Sequence, residues 1–351
     1  MIPPGSTIGI IGGGQLGRML CLAAAPLGYR VQVYSPDESG PAADVCARWV
    51  RGQYDDAGAL EAFAAQCAVL TYEFENVDVA ALSNVATPLY PPLAALTVAQ
   101  DRSAEKRFAE AHGARTARWS EIADPATLTA GLSRVGTPAV LKTRRFGYDG
   151  KGQARISSAG EATEAWAAIG ERPAILEGLV DFAAEFSVLV ARGRDGTAVT
   201  WPSPENRHAG GILRQSVLPP AAAVVPLTAE AEALAARIAQ ALDYVGVLAV
   251  EFFATADGPV FNEMAPRVHN SGHWTIEGAT LSQFEAHIRA ICGLPLPQPA
   301  LTAARIELEN LIGDDVETWP YHLADPAAHL HLYGKHEARP GRKMGHVTRL
   351  L

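Results

Sequence analysis

The sequence predicts a mixed fold, α/β in its first part and α+β after it, with a doubly wound parallel sheet at the start and a small β-rich module at the end. The first hundred residues alternate short apolar runs with helix-like segments, as βαβ units do. From Phe182 to about residue 292 the pattern is mixed, and the last fifty residues are β-rich. Prolines at 88–92 and 295–299 separate these parts. We therefore expect domains at 1–98, 99–294 and 295–351.

The elements of the first domain follow from its apolar runs. They are a buried strand at Thr7–Ile11, a helix at Gln15–Ala25, a second strand at Val31–Tyr34 and a later strand of the same sheet at Val69–Tyr72. Strands and helices that alternate in this way predict parallel strands with helices on their faces. The first domain is therefore expected to be Rossmann-like.

The middle domain begins with a charged segment and continues with mixed elements. They are a helix at Asp101–His112, a strand that ends at Lys142, a strand at Ala174–Glu177 and a helix at Ala229–Leu242. Leu234, Ile238 and Leu242 recur at helical spacing, which predicts an amphipathic helix.

The composition excludes several classes of function. The chain has 351 residues, with 29 Lys and Arg against 38 Asp and Glu, so its formal charge is −9. This net charge argues against general binding of nucleic acid or of an anionic membrane, so bound phosphate needs local clusters of positive charge. Proline or charge breaks every apolar run well before about 18 residues, which predicts no membrane span.

The N-terminus and the cysteines indicate a cytoplasmic protein. Residues 1–5 lack the basic region of a signal peptide. Cys21, Cys46, Cys67 and Cys292 form no CxxC pair and no zinc-like spacing, so we expect buried, reduced thiols.

A glycine-rich segment, Gly12–Gly17, follows the first predicted strand and contains GxGxxG. Glycines let the backbone approach an anion, and the next helix offers unpaired N–H groups. Three interpretations stay open. The segment binds a phosphate or carboxylate of some ligand, it binds a nicotinamide or flavin with Asp37 on the ribose, or it serves tight packing.

Two carboxylates, Glu73 and Glu75, follow the strand at Val69–Tyr72. Ligands of open α/β sheets bind outside the carboxyl ends of the strands. If the strand continues, the two side chains lie on one face and can hydrogen-bond a substrate hydroxyl or amine. The alternative is a solvated strand end.

A basic, glycine-rich stretch runs from Lys142 to Gln153. Its glycines predict a mobile, closely approachable loop, and its lysines and arginines concentrate positive charge in an acidic chain. It lacks GxxxxGK[ST], so a P-loop is disfavoured. We favour a lid over a nucleoside triphosphate, with a basic surface hairpin as the alternative.

Two apolar runs around Asp257-Gly258 predict a β-hairpin. A three-residue loop at 256–258 would place Glu251 directly opposite Glu263, and Phe253 opposite Phe261. Like charges at opposed positions destabilise a sheet, so a divalent cation is expected between them, with Asn262 adding an oxygen ligand. The alternative is that one carboxylate is protonated or salt-bridged.

Polar residues follow the hairpin at 265–275, a segment too polar for a core. Arg267 offers a planar donor fork to a bicarbonate or phosphate, and His269 is suited either to move a proton or to hold an oxyanion. A second basic turn at 333–346 carries Lys335 and Arg342, which either grip a substrate phosphate or belong to a solvated loop.

Five segments, GGGQLGRM, TYEFENV, TRRFGYDGKGQ, NEMAPRVHNSGHWT and RPGRKMGH, occur in this order along the chain. In these motifs the chain resembles the ATP-grasp superfamily, and within it the 5-(carboxyamino)imidazole ribonucleotide synthase family of purine biosynthesis. The resemblance implies an ATP-grasp fold with a lid subdomain at about 110–182. It also implies an ATP-dependent ligase that joins bicarbonate to 5-aminoimidazole ribonucleotide through carboxyphosphate, on the route to IMP. Mg²⁺, or Mn²⁺ in its place, and a homodimer are implied too.

The resemblance also assigns roles to residues. Glu251 and Glu263 would hold the metal, and Arg267, His269 and Lys335 would be catalytic. The aminoimidazole ribonucleotide would contact Gln15, Glu73, Tyr148, Asp149, Lys151 and Arg342. ATP would contact Arg102, Lys142, Gly147, Tyr148, Asp149, Gly150, Lys151, Gly152, Gln153, Glu177, Gly178, Leu179, Val180, Glu185, His208, Asn262 and Glu263.

Rival interpretations differ in class. The interpretation as a nicotinamide-dependent dehydrogenase rests on the glycine motif and Asp37. The interpretation as a ligand sensor predicts nucleotide binding without turnover. Within the superfamily, a formate-using glycinamide ribonucleotide transformylase is the nearest functional alternative.

Overall fold

The computed structural model describes residues 1–147 and 152–351, and this part of the chain forms three β-sheets. The first sheet is parallel, with strand order β3-β2-β1-β4. Its strands are β1 Thr7–Ile11, β2 Arg30–Ser35, β3 Arg48–Arg51 and β4 Val69–Tyr72. Its helices are α1 Gln15–Ala24, α2 Ala57–Ala64, α3 Val79–Leu82 and α4 Leu93–Ala99. The predicted doubly wound parallel sheet is confirmed.

The second sheet is small and antiparallel, with strand order β5-β8-β6-β7. It follows helix α5 Arg102–Ala111, which begins one residue later than predicted because the Asp101 carboxylate caps it by accepting from the N–H groups of Ser103 and Ala104. Its elements are β5 Trp119–Ile122, α6 Pro125–Val135, β6 Ala139–Thr143, β7 Gln153–Ile156, α7 Ala162–Ala168 and β8 Ala174–Gly178.

The third sheet is antiparallel and has nine strands in the described part of the chain, in the order β14-β13-β9-β11-β12-β15-β17-β16, with β10 paired to β9. Its first elements are β9 Ala184–Arg192, β10 Ala198–Thr200, β11 Glu205–Ala209, β12 Ile212–Leu218, α8 Thr228–Ala241, β13 Gly246–Thr255 and β14 Gly258–Ala265. The remaining ones are α9 Thr275–Gly278, α10 Gln283–Cys292, β15 Ile306–Ile312, α11 Trp319–Ala324, β16 Ala328–Leu332 and β17 Lys343–Leu350.

The C-terminal strands continue the large sheet, since β15 pairs with β12. The division at residues 98 and 294 stays a prediction. Helix α8 lies one residue earlier than expected, and its Leu234 and Ile238 are buried against the strands of this sheet, as the helical spacing predicts. Among the described residues, no helix combines the length and the apolar composition that a membrane crossing requires.

A buried contact joins the first sheet to the large one. His287 of α10 is completely buried, and its Nδ1 accepts from the Val247 N–H of β13 at 3.2 Å. Its Nε2 therefore carries the proton and donates to the Thr71 hydroxyl of β4 at 2.8 Å. Burial lowers the pKa of His287 to about 3, so the ring is neutral. Its two hydrogen bonds connect β4 of the first sheet with β13 of the large sheet.

The cysteines only partly match the expectation. All four are free thiols. Cys21 and Cys292 are buried, but Cys46 and Cys67 are half-buried, so the prediction of four buried thiols is wrong for two of them.

Candidate active site

Strands β13 and β14 place Glu251 directly opposite Glu263, as predicted. The rest of the predicted register is wrong. Phe261 faces Phe252 rather than Phe253, and Thr255 faces Gly258, so the loop has two residues instead of three. Asn262 is an additional residue on β14, and this β-bulge restores the carboxylate pairing.

The opposed carboxylates differ in their ionisation. Burial and then the neighbouring Glu263 raise the pKa of Glu251 to about 7. Burial also opposes the ionisation of Glu263. The charge of Arg102 outweighs this effect and lowers the pKa of Glu263 below its usual value, since the Arg102 Nη1 donates to the carboxylate at 2.8 Å. The salt-bridged alternative therefore holds for Glu263, while Glu251 lies 3.4 Å from the Nε2 of His269. Repulsion between the two carboxylates makes this position suitable for a hard cation.

One face of helix α5 supplies charges to this pair. Besides Arg102, Lys106 donates to the carbonyl of the bulged Asn262 at 3.2 Å, and Glu105 accepts from the Met264 N–H at 2.6 Å. Burial and then Glu263 raise the pKa of Glu105 to about 8. Neither Glu105 nor Lys106 was predicted as a site residue. Their spacing in a charged helix, three and four residues after Arg102, was the available signal.

The small sheet brings a second ion-pair group to the same place. Glu177 of β8 binds Lys142 of β6 at 2.7 Å and Lys106 at 3.2 Å. Burial alone would raise the pKa of Glu177, but the two ammonium groups outweigh it and hold the pKa at about 2. Gly178 is the last residue of β8, with Leu179 and Val180 directly after it.

A third pair lies beside β13. His208 of β11 binds Glu185 of β9 at 3.1 Å. Burial lowers the pKa of His208, but the Glu185 carboxylate outweighs this effect and raises it overall. Glu185 is opposite Phe253 in the sheet, and the Phe253 ring stacks on Phe182 at 4.7 Å. These side chains flank the carboxylates at one end.

Arg267 and His269 follow β14 and lie at the other end. The Arg267 Nε pairs at 2.9 Å with Glu75, which follows β4, and its Nη1 donates to the Val268 carbonyl at 3.0 Å. Burial, and then the charge of Arg267, lower the pKa of His269 far below its usual range, so its ring is neutral. The segment that follows, 270–275, is buried, so the expectation that it lies outside the core is wrong. Asn270 exchanges hydrogen bonds with Asn310, whereas the Trp274 Nε1 has no hydrogen-bond partner among the described residues.

The glycine segment of the first domain is packed against protein groups. The Gly14 N–H donates to Glu73 at 2.6 Å, and the Trp49 ring lies so close to Gly13 that a Cβ there would overlap it. The Trp49 Nε1 also donates to the Asp37 carbonyl at 3.1 Å. Tight packing against Trp49 and the close approach of the Glu73 carboxylate therefore account for these glycines.

Strand β4 ends at Tyr72, so Glu73 and Glu75 do not share a strand face as expected. Neither forms a solvated strand end. Glu73 is 9% exposed, and burial raises its pKa although Gly14, Arg267 and Lys335 act in the opposite direction. The Lys335 ammonium is close enough to act on the pKa of Glu73, and its Nζ also donates to the Lys343 carbonyl at 2.6 Å.

The remaining predicted residues belong to other elements or lie outside the described ranges. Gln15 begins α1, Gln153 begins β7 opposite Lys142, and Arg342 donates to the Glu337 carbonyl at 2.9 Å. Gly152 has a φ of 70°, and Gly147 is the last described residue before the gap. The predictions for Tyr148, Asp149, Gly150 and Lys151 fall outside the described residues.

Comparison with known proteins finds similarity along almost the whole chain. Three family models match: a ribonucleotide synthetase preATP-grasp domain at 5–100, an ATP-grasp domain at 107–284 and a phosphoribosylaminoimidazole carboxylase C-terminal domain at 308–351. The N5-carboxyaminoimidazole ribonucleotide synthase of Brucella melitensis is 52% identical, over 99% of this chain and 97% of its own.

Solved structures are similar as well. The N5-carboxyaminoimidazole ribonucleotide synthetase of Thermus thermophilus is 50% identical with a TM-score of 0.91, covering 98% of this chain and 93% of its own. An Aspergillus clavatus N5-carboxyaminoimidazole synthase in complex with ADP and 5-aminoimidazole ribonucleotide is 33% identical with a TM-score of 0.92, covering 99% and 94%.

Proposed function

The chain belongs to the N5-carboxyaminoimidazole ribonucleotide synthase family of ATP-grasp ligases, and from this premise we propose how its residues act. The activity is the ATP-dependent carboxylation of 5-aminoimidazole ribonucleotide to N5-carboxyaminoimidazole ribonucleotide in purine biosynthesis. The observation that carries the assignment of the site is the opposed pair Glu251 and Glu263, surrounded by cationic and neutral donors. The carboxyl donor in this proposal is bicarbonate.

Glu251 and Glu263 would hold Mg²⁺, for which Mn²⁺ is an alternative. The fit rests on two carboxylates in direct opposition, of which Glu251 has its pKa raised by burial and then by the charge of Glu263. Among the residues that the structure describes, no group of three or more His, Cys, Asp or Glu side chains could hold a metal ion, so the protein would offer this carboxylate pair. Phosphate oxygens would complete the coordination, which is usual for Mg²⁺. When bound, the ion neutralises charge on the triphosphate.

Arg102 and Lys142 would bind the phosphates of ATP. Both already form ion pairs with carboxylates of the site, Arg102 with Glu263 and Lys142 with Glu177. The adenine would lie along Glu177, Gly178, Leu179 and Val180 at the end of β8, and the ribose against Glu185 with His208 beside it. The segment from Gly147 to Gln153, which ends at the first residue of β7 and of which 148–151 are outside the described ranges, would close over the phosphates.

Arg267 and His269 would hold bicarbonate and the species derived from it. A bicarbonate oxygen attacks the γ-phosphorus of ATP, the bond to the β–γ bridging oxygen breaks, and ADP leaves with carboxyphosphate as the other product. Carboxyphosphate then divides into CO₂ and phosphate, so the site must exclude water. His269 is a neutral ring whose Nδ1 accepts from the Ser271 N–H at 3.3 Å, so its Nε2 is a hydrogen-bond donor. This tautomer favours oxyanion binding over proton transfer.

The aminoimidazole ribonucleotide would lie between the first domain and the C-terminal strands. Its amine attacks CO₂, forms the N–C bond and releases a proton. Glu73 and Lys335 stand close together at this place, as the effect of Lys335 on the pKa of Glu73 indicates. Gln15 and Arg342, together with Tyr148, Asp149 and Lys151 of the loop, would complete the contacts.

The proposal predicts ADP release that depends on two co-substrates. In a coupled assay with ATP and Mg²⁺, we expect rapid ADP formation only when both bicarbonate and 5-aminoimidazole ribonucleotide are present. Withholding each in turn is the control. ADP release that ignores the ribonucleotide would contradict the assignment, and tight NADH binding by fluorescence without affinity for ATP would favour the dehydrogenase.

We also propose a cytoplasmic homodimer, on the resemblance to the family alone. Light scattering coupled to size-exclusion chromatography gives the mass directly. A mass near twice 37.1 kDa is expected, and a monomeric mass at assay concentration would contradict it.

A further inference from the structure

A buried side-chain amide lies directly beneath the turn that carries His269. Gln283, the first residue of α10, has no exposed surface. Its Oε1 accepts from the His269 N–H at 2.9 Å, and its Nε2 donates to the His269 carbonyl at 2.7 Å. One side chain therefore binds both backbone polar groups of a single residue 14 positions earlier in the sequence.

The amide can take only one orientation. The His269 N–H needs an acceptor and the His269 carbonyl needs a donor, so exchanging the oxygen and nitrogen of Gln283 would break both contacts. The second hydrogen of Nε2 points to His273 Nδ1 at 3.2 Å. His273 is buried beside Phe284 and His346, and burial lowers its pKa well below the usual value, so its neutral ring can accept this hydrogen bond.

The glutamine is itself held on a rigid support. Its backbone N–H donates to the Thr275 hydroxyl at 2.9 Å, and that hydroxyl donates to the Gly272 carbonyl at 2.6 Å. A Cβ at Gly272 would lie 2.7 Å from the Gln283 Oε1, so a glycine is needed there. Ser282 caps the helix by accepting from the Glu285 N–H at 3.1 Å.

The consequence concerns the imidazole of His269. With its backbone fixed by Gln283 and its Nδ1 held by Ser271, the ring presents Nε2 toward Glu251 at 3.4 Å. We propose that Gln283 is a positioning residue, whose buried amide sets the backbone of His269 so that Nε2 points toward Glu251 and the bicarbonate or carboxyphosphate that would bind beside it. This inference rests on the proposed function, since it assumes that His269 holds bicarbonate or carboxyphosphate.

Substitution of Gln283 is expected to have different effects if the residue only supports the fold and if it positions His269. Loss of packing would lower stability or slow every step, whatever residue stands at 269. A positioning residue acts through His269, so its effect must disappear once the imidazole is removed. A double-mutant cycle between positions 283 and 269 separates the two.

The test uses Gln283→Met, which keeps the length of the side chain and loses both hydrogen-bonding groups. We expect the kcat for N5-carboxyaminoimidazole ribonucleotide formation to fall about 100-fold, as misplaced catalytic groups typically cause. The KM for ATP is expected to stay within about twofold. In a His269→Ala background, the same substitution is expected to change kcat by less than about twofold. An equal loss in both backgrounds, or a wild-type kcat for Gln283→Met, would overturn the proposal.

Two further variants keep the test decisive. If thermal melting shows that Gln283→Met does not fold, Gln283→Glu replaces it in the same cycle, because it keeps the acceptor for the His269 N–H and loses the donor. Gln298→Met is the matched control, since Gln298 is exposed and its amide donates to the Thr200 carbonyl, away from the site. Wild-type kcat is expected for this variant.

The possible outcomes separate failure of the proposed function from failure of the proposed role of Gln283. A wild-type enzyme without ribonucleotide-dependent ADP release would refute the proposed function. A His269→Ala variant with wild-type kcat would remove the role of His269 and the inference with it. Slow turnover in His269→Ala together with a full, additive loss from Gln283→Met would overturn the inference alone.

Discussion

Glu263→Gln is expected to lower the rate of ATP-dependent carboxylation at least about 100-fold, which corresponds to about 2.7 kcal/mol in the activation barrier. The amide keeps the size of the side chain but removes the negative charge that would bind the metal. It also leaves Arg102, which pairs with Glu263 at 2.8 Å, without its anionic partner. Steady-state kcat with ATP, bicarbonate and ribonucleotide at saturation measures the effect.

The fold of this variant should be unchanged, because glutamine is nearly isosteric with glutamate and Glu263 is half-buried at the edge of the large sheet. Circular dichroism and thermal melting check this. Glu230→Gln makes the same charge change at an exposed position of α8 and should retain the wild-type rate. Unchanged activity of Glu263→Gln over a range of Mg²⁺ concentrations would refute metal binding at this residue.

Arg267→Lys is expected to lower carboxylation about 100-fold, as loss of a well-placed donor to an anionic intermediate typically does. The guanidinium has its Nε on Glu75 and its Nη1 on the Val268 carbonyl, and the described part of the chain shows no partner for Nη2, which would bind the substrate. A lysine ammonium has a single centre and cannot span these positions, although its charge is the same. Product formed per ADP released should fall with kcat, because the intermediate is less well held.

Arg305→Lys is the control for this substitution. Arg305 pairs with Glu307 on the surface, and exchange between the two cations there should leave kcat unchanged. A wild-type rate for Arg267→Lys would show that positive charge alone suffices at position 267, which contradicts the assigned role.

The opposed carboxylates were predictable from sequence only in part. Alternating apolar residues around Asp257-Gly258 are enough to predict the hairpin. The predicted three-residue loop was wrong, and Glu251 faces Glu263 because Asn262 forms a bulge. The carbonyl of that bulge is bound by Lys106, which lies 156 residues away in the chain. Local sequence patterns contain no information about such a contact.

The first sheet and its helices were predictable for a different reason. The apolar runs at Thr7–Ile11 and Val69–Tyr72 are short, continuous and buried, and the structure has strands at these positions. The predicted end of this strand at Tyr72 is confirmed. The shared face of Glu73 and Glu75 required the strand to continue beyond Tyr72, so that expectation is wrong. The Gly14 N–H, 59 residues from Glu73, holds its side chain.

Buried polar residues were the hardest to predict. Glu105, Lys106 and Gln283 are almost completely buried, and each is satisfied by partners distant in sequence or on another element. From sequence alone, each reads as an ordinary polar position of a helix surface. The long-range fold decides which of them turn inward.

The central claim is that Glu251 and Glu263 together hold a divalent cation against the triphosphate. The direct measurement is anomalous diffraction from crystals grown with Mn²⁺ and a non-hydrolysable ATP analogue. We expect a manganese peak bound to both carboxylates and to phosphate oxygens, with Arg102 on the nucleotide. A peak elsewhere, or bound analogue with Glu263 still paired to Arg102 and no metal on either glutamate, would contradict it.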